Sequence, residues 1–328
     1  MSPNPTNCGL MRISASRSGD MTPRTRREQA AAQAELLPAR RGARHASRRI
    51  DASRRGFAAT LRALEELAAT GAQVSLHVRD VDRDNVVVAG DDYVSQPIGG
   101  LGAVAVLLEV AVQFDAGTLD PAELVDRSNV VPAPVAGIWN HLAATNFTLA
   151  DVAVLAAATG DPVATNALLA RVGTEAVRVR LESLGLTRLA VLDGFRDNRG
   201  PDDAPDLAVG STRETAGLFA ALVNSKVVDP AVSAQVAEWL SLNQDLSLVA
   251  SATGLDPFDH ENDKHRILFI NKTGRAEGVR AEAGVLAGPR AGVAYAITVC
   301  FDDLSIVHRL RVHDAMRTFG IELMEYVF

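Results

Sequence analysis

The sequence has almost no cysteine. Only Cys8 and Cys300 occur in 328 residues. Two thiols exclude a disulfide framework and point to a reducing compartment. Aromatic residues make up just 5% of the chain, so a core has to be built from small aliphatics, which the 47% apolar content supplies. No apolar run reaches the ~18 residues of a spanning helix, and "GAVAVLLEVAVQF" is broken by Glu109. The arginine pair in "TPRTRREQAAAQAELLPA" has no apolar stretch behind it, because Gln and Glu interrupt the alanines. That makes a poor export signal, and the expected location is cytoplasmic. Lysine is absent from residues 1–55, which hold 12 arginines against 4 acids. The remainder carries 21 basic and 36 acidic residues, a balance that argues against a polyanionic partner for the folded part. Residues 1–50 lack apolar periodicity and read as a basic, solvated tail, with Met21 as an alternative start. Nucleic acid or an anionic membrane is the less favoured partner of that tail.

From about residue 51 the patterns become regular. Phe57, Leu61, Leu64 and Leu67 lie on one side of a helix that stops at Gly71. "QVSLHVRD" and "NVVVAG" alternate like strands around a "VDRD" turn. A long apolar helix is expected from Leu101 to Phe114, and five more over 149–159, 164–172, 174–184, 212–223 and 231–242. Strands return at 267–271, 281–286 and 292–301, and a helix over 305–326 ends the chain. Two strands, a helical block, three strands and a helix predict an α+β (α-β-α) domain over 51–328. Its sheet is antiparallel, its first and last helices cover one face, and a helical subdomain is inserted at about 100–225.

Near the end stands "INKTGRAEGVRAEAGVL", a Lys-Thr-Gly on one expected strand and Arg280 at the start of the next. With it come "DAGTLD" (115–120), "GDPVATNALLARVG" (160–173), "LESLGLTRLAVLDG" (181–194) and "STRETAGLFAAL" (211–222). In this order and spacing the set resembles the class A β-lactamases and related penicillin-recognising serine hydrolases. The resemblance implies an antiparallel sheet flanked by helices, no cofactor, and a ligand bearing a small carboxylate, a β-lactam or a peptide. It implies that Lys272, Thr273, Gly274 and Arg280 hold that carboxylate through charge-assisted contacts. The N–H groups of Gly100 and Arg275 would form an oxyanion hole.

The reactive residues of the family are not at their implied places. The nucleophilic serine should stand at Gly100, and the lysine one turn later, on the same helix face, at Ala103. Ser95 is five residues too early, and no Lys or Arg lies between Arg83 and Arg127. The Ser-Asp-Asn motif reads Gly160-Asp161-Pro162, with Asn166 downstream; Asp161 and Pro162 read as the start of a helix. The loop that supplies a deacylating glutamate in the family is "LDGFRDNRGPDD", its glutamate position falling on or near Arg196, and the neighbouring Asp197 reads as part of an acidic surface loop. "HENDKH" (His260, Glu261, Asp263, His265) has metal-ligand residue types without a metal-site spacing, so no metal is expected. The sequence therefore predicts a non-hydrolytic ligand-binding, regulatory or biosynthetic-cluster accessory protein. The alternative is a re-purposed enzyme acting through the oxyanion hole with another nucleophile or without a covalent step.

Overall fold

The computed structural model describes residues 56–131, 137–196, 198–258, 260 and 267–328. The basic tail with Cys8 and Met21, together with Asp197, Glu261, Asp263 and His265, lies outside the described residues.

Five antiparallel strands form the main sheet in the order β2-β1-β10-β9-β8. They are β1 (Gln73–Asp80), β2 (Val86–Gly90), β8 (Leu268–Ala276), β9 (Val279–Ala287) and β10 (Gly292–Cys300). Central strand β10, "GVAYAITVC", is buried on both faces, which explains its unbroken apolar run. Between β2 and β8 the chain forms the short strands β3 (Gln96–Pro97), β4 (Leu124–Asp126), β5 (Asn146–Thr148), β6 (Ala190–Val191) and β7 (Ala208–Gly210). The same stretch holds helices α2 (Ala103–Asp115), α3 (Leu149–Thr159), α4 (Pro162–Val172), α5 (Thr174–Ser183), α6 (Thr212–Val223) and α7 (Pro230–Ser241). Helices α1 (Ala58–Ala69) and α8 (Ile306–Val327) flank this arrangement in sequence.

The sheet separates two cores. Ala281, Ala283, Val285, Ala294 and Ala296 face a core shared with α2–α7. Val293, Tyr295, Ile297 and Val299 face the core under α1 and α8. This is the period-two alternation of a strand, and it decides which side each functional side chain serves. Helix α2 is buried along Ala103–Ala111, as expected of a helix that is apolar all round. Its one buried charge, Glu109, is paired with Arg180 at 2.9 Å.

Among the expected boundaries that moved, two lie at the family motifs. The central α-helix begins at Ala103, because Gly99–Gly102 form a 3-10 turn ahead of it. The Lys-Thr-Gly stands on a strand as expected, but β8 runs past 271 to Ala276, and the hairpin turns at Glu277 and Gly278. Full pairing with β9, including Lys272 with Ala283 and Arg275 with Arg280, carries both strands past the motif.

Candidate functional site

A cleft of about 620 Å³ lies between the start of α2, the loop after β6 and edge strand β8. Its wall includes Gly100, Ala103, Gly160, Arg196, Lys272, Thr273 and Arg275, so seven residues singled out in the sequence meet in one place.

Glycine sets the closeness of that meeting. A Cβ on Gly274 would lie 1.9 Å from the Ile98 carbonyl oxygen and 3.0 Å from Leu101 N. Gly274 is thus a packing residue that lets β8 lie directly against the 3-10 turn. Gly99 has φ +52°, and a Cβ there would meet the Arg275 backbone at 2.7 Å, a conformation and a contact that favour glycine. The turn that carries Gly100 therefore packs directly on the Arg275 backbone.

On the far wall α3 ends at Gly160, which has φ +65°. Asp161 then caps α4: Oδ1 accepts from the N–H groups of Val163 (2.9 Å) and Ala164 (3.0 Å), and Pro162 starts the helix. Asp161 Oδ2 also accepts from the buried Trp139 N–H at 2.8 Å. Asp161→Ala removes a cap and orphans a buried donor, and is expected to cost about 2–4 kcal/mol in urea denaturation.

Lys272 is 2% exposed. Its ammonium donates to the Ala157 carbonyl at 3.2 Å and to Asn243 Oδ1 at 3.4 Å. Among the described residues it forms no ion pair. Burial pushes its pKa down to about 8, against the pull of the Asp245 charge. A Cβ on Gly160 would approach Nζ to 3.3 Å, so the glycine leaves space beside the amine.

The neighbouring cation is already satisfied. Arg275 donates through Nε and Nη2 to Asp245 at 3.1 and 3.0 Å, and Thr273 Oγ1 donates to the same carboxylate at 2.7 Å. Burial raises the Asp245 pKa, but the bonds from Ser247 and Thr273 and the Arg275 charge outweigh it and hold the group below the usual carboxylate range. Arg196 is bound to Asp193 at 2.6 Å and Arg199 to the same residue at 2.9 Å. Of the cleft's basic side chains, Lys272 alone lacks a carboxylate partner among the described residues.

Arg280 departs from expectation. It is not among the residues lining the cleft. Its guanidinium donates to the carbonyls of Ala276 (3.0 Å) and Val279 (2.7 Å) and to His313 Nε2 at 3.4 Å on α8. Position 280 is two residues from Glu282 and shares its face, whereas Lys272, in register with Ala283, points to the other. The two side chains lie on opposite faces of the hairpin.

Phe195 went unnoticed in the sequence. The Asn166 side chain holds its backbone twice, accepting from the Phe195 N–H at 2.7 Å and donating to the Phe195 carbonyl at 2.9 Å. The ring tip then lies 3.4 Å from where a Cβ on Gly100 would stand. Phe195, not Arg196, is the loop residue facing the family's nucleophile position. A lone aromatic in the polar "LDGFRDNRGPDD" was the available signal. Asp245 and Asn243, in "LNQDLS" between α7 and β8, offered none.

Outside the cleft, His260 is buried against Phe269, with ring centroids 6.4 Å apart. Among the described residues there is no cluster of three or more metal-ligating side chains. No helix among them is long and apolar enough to cross a membrane.

A sequence profile described as the β-lactamase enzyme family matches residues 56–327. No curated protein sequence matches the chain. Solved structures do. A β-lactamase from Sphaerobacter thermophilus is 17% identical and superposes with a TM-score of 0.70, covering 83% of this chain and 97% of that one. The chromosome-encoded β-lactamase of Vibrio parahaemolyticus is 19% identical, with TM-score 0.63 and coverage of 79% and 95%. PBP-A is 16% identical, with TM-score 0.63 and coverage of 78% and 91%. At these identities the likeness is one of fold: an antiparallel sheet flanked by helices.

Proposed function

Because the chain belongs to the β-lactamase enzyme family, we propose that it keeps the family's cleft for binding and has given up acyl transfer, acting as a non-hydrolytic receptor for a small carboxylate. The observation that carries this is Lys272, an ammonium buried in the cleft wall with no carboxylate partner among the described residues, opposite a helix start that bears no nucleophile. An unpaired buried charge is costly, and a bound carboxylate supplies the missing partner. Thr273 and Arg275 are turned toward Asp245 and contribute less. A β-lactam or a peptide carboxylate suits the cleft, and the role is that of a cytoplasmic regulatory or biosynthetic-cluster accessory protein, a location that cell fractionation checks.

Calorimetric titration with benzylpenicillin and with acetate tests the reading. Lys272→Met should weaken binding by ~1.5–3 kcal/mol, or about 10–150-fold in Kd, whereas Arg280→Ala should change it less than threefold. Lys272 loses its proton above pH 8, so affinity should be level below that pH and fall as pH rises through it. Equal affinity in wild type and Lys272→Met removes the site. One observation favours a second reading, a re-purposed enzyme: the backbone of Gly99, next to Gly100, packs on that of Arg275 at the cleft, and amide donors gathered there would suit an oxyanion. Turnover of an activated ester that survives Lys272→Met but fails with Gly100→Pro would support it.

A further inference from the structure

The cleft also has an apolar lining. Among Arg196, Arg199 and Asp206 stand Phe195, Pro205 and Leu207, with Ala103 and Pro162 completing the apolar part. Phe195 is half-buried and packs against the core beside α2. Both polar groups of its backbone are consumed by Asn166, so the ring is carried on a fixed frame and not on a free loop. Its tip occupies the approach to position 100, the point where a nucleophile's side chain would begin. Whatever lies there in a bound ligand touches a hydrocarbon ring and meets no reactive group. A ring presented edge-on or face-on at a pocket wall favours another flat apolar ring, in offset or T-shaped contact. Pockets of this type orient a ligand with few polar groups and hold it by apolar area.

Resting on the carboxylate site proposed above, we infer that Phe195 is the specificity-determining residue of the cleft, and that its ligand is an aryl-bearing carboxylate. The carboxylate lies at Lys272 and the ring lies on Phe195. No covalent step is involved.

The probes are propionate, 3-cyclohexylpropionate and 3-phenylpropionate, titrated calorimetrically into the full chain. Wild type should bind 3-phenylpropionate at least about tenfold more tightly than propionate, with the cyclohexyl acid in between. Phe195→Ala should reduce the phenyl preference below threefold while leaving propionate affinity unchanged. Phe195→Leu, which keeps apolar volume at that position, should bind the phenyl and cyclohexyl acids equally. Lys272→Met should weaken all three acids by one common factor. If wild type binds propionate but shows no phenyl preference, the inference is wrong and the carboxylate site stands. The inference also falls if Phe195→Leu retains the full phenyl preference, or if both Phe195 variants lose all three acids together. If none of the acids binds wild type, the carboxylate site fails and takes the inference with it.

Discussion

Mixed with a reporter penicillin for hours, the protein is expected to keep its own mass. Acyl transfer needs a nucleophile, a base within hydrogen-bond reach of it, and a proton route to the leaving group. At the first position Gly100 has no side chain. One turn on, Ala103 offers a methyl group, buried at 3% exposure. Beside Lys272, where a relay hydroxyl would sit, stands Gly160. Losing a nucleophile or its base alone typically costs 10⁴–10⁶ in kcat, so hydrolysis should be indistinguishable from a boiled control. Restoring one group should not help. In Gly100→Ser the Cβ would fit at 3.4 Å from the Phe195 ring tip, but the hydroxyl beyond it would press on the ring and find no base. An adduct should first appear when Gly100→Ser and Ala103→Lys are combined with Phe195→Gly, which clears the approach. Intact-mass measurement decides the matter. A stable adduct on the wild-type chain, or hydrolysis clearly above the control, would mean that another side chain has taken over the chemistry.

What the sequence disclosed depended on whether a position was fixed by local pattern or by tertiary path. Gly100, Ala103, Gly160 and Lys272 were legible because each stands at a set distance from a helix start or strand motif. The structure places all four around one cleft. The helices at 149–159 and 212–223 have their expected bounds, and in the structure Thr148 and Ser211 cap them. Arg280 was misjudged by its face. The resemblance implied partnership with Lys272, but the pairing register and the alternation of β9 turn it toward α8. Phe195, Asn243 and Asp245 were missed because no periodicity governs the path of a loop. Phe195 reaches the cleft through Asn166, 29 residues away. Asp245 does so by bonding residues of β8 28 and 30 positions on. Pairings at that separation leave no trace in local composition.

Glu282→Ala is expected to destabilise the fold by ~3–5 kcal/mol. The carboxylate is fully buried on β9 and gathers four donors. These are the N–H groups of Val249 (2.8 Å) and Ala250 (3.3 Å), Asn271 Nδ2 (3.0 Å) and the Tyr295 hydroxyl (2.7 Å). Asn271 in turn accepts from Asn243, which also accepts from Lys272. The network thus runs round the edge strand from the back core to the cleft, and alanine would leave its donors unpaired. The same burial predicts an unusual pH profile. It pushes the Glu282 pKa from 4.5 up to about 7, despite the pull of Tyr295, Asn271 and Val249. Between pH 4.5 and 7 the folded state therefore holds a proton that the unfolded chain has released, so stability falls as pH rises across that window and levels off above it. At 1.36 kcal/mol per pKa unit the change is up to ~3 kcal/mol. Lys272 behaves oppositely, with a folded pKa of about 8 against 10.5. From pH 8 to 10.5 the unfolded chain keeps a proton that the folded state has lost, and stability climbs. Together the two groups place a trough between pH 7 and 8. His77, held low by burial, opposes Glu282 on the acid side, so the contribution of Glu282 is read from the difference between variant and wild type. Urea denaturation at pH 5, 7.5 and 9.5 should show Glu282→Gln lacking the acid-side gain and Lys272→Met lacking the alkaline one. Curves for Glu282→Gln and wild type that stay parallel from pH 5 to 7.5 would show that Glu282 is ionised throughout, its four donors outweighing its burial.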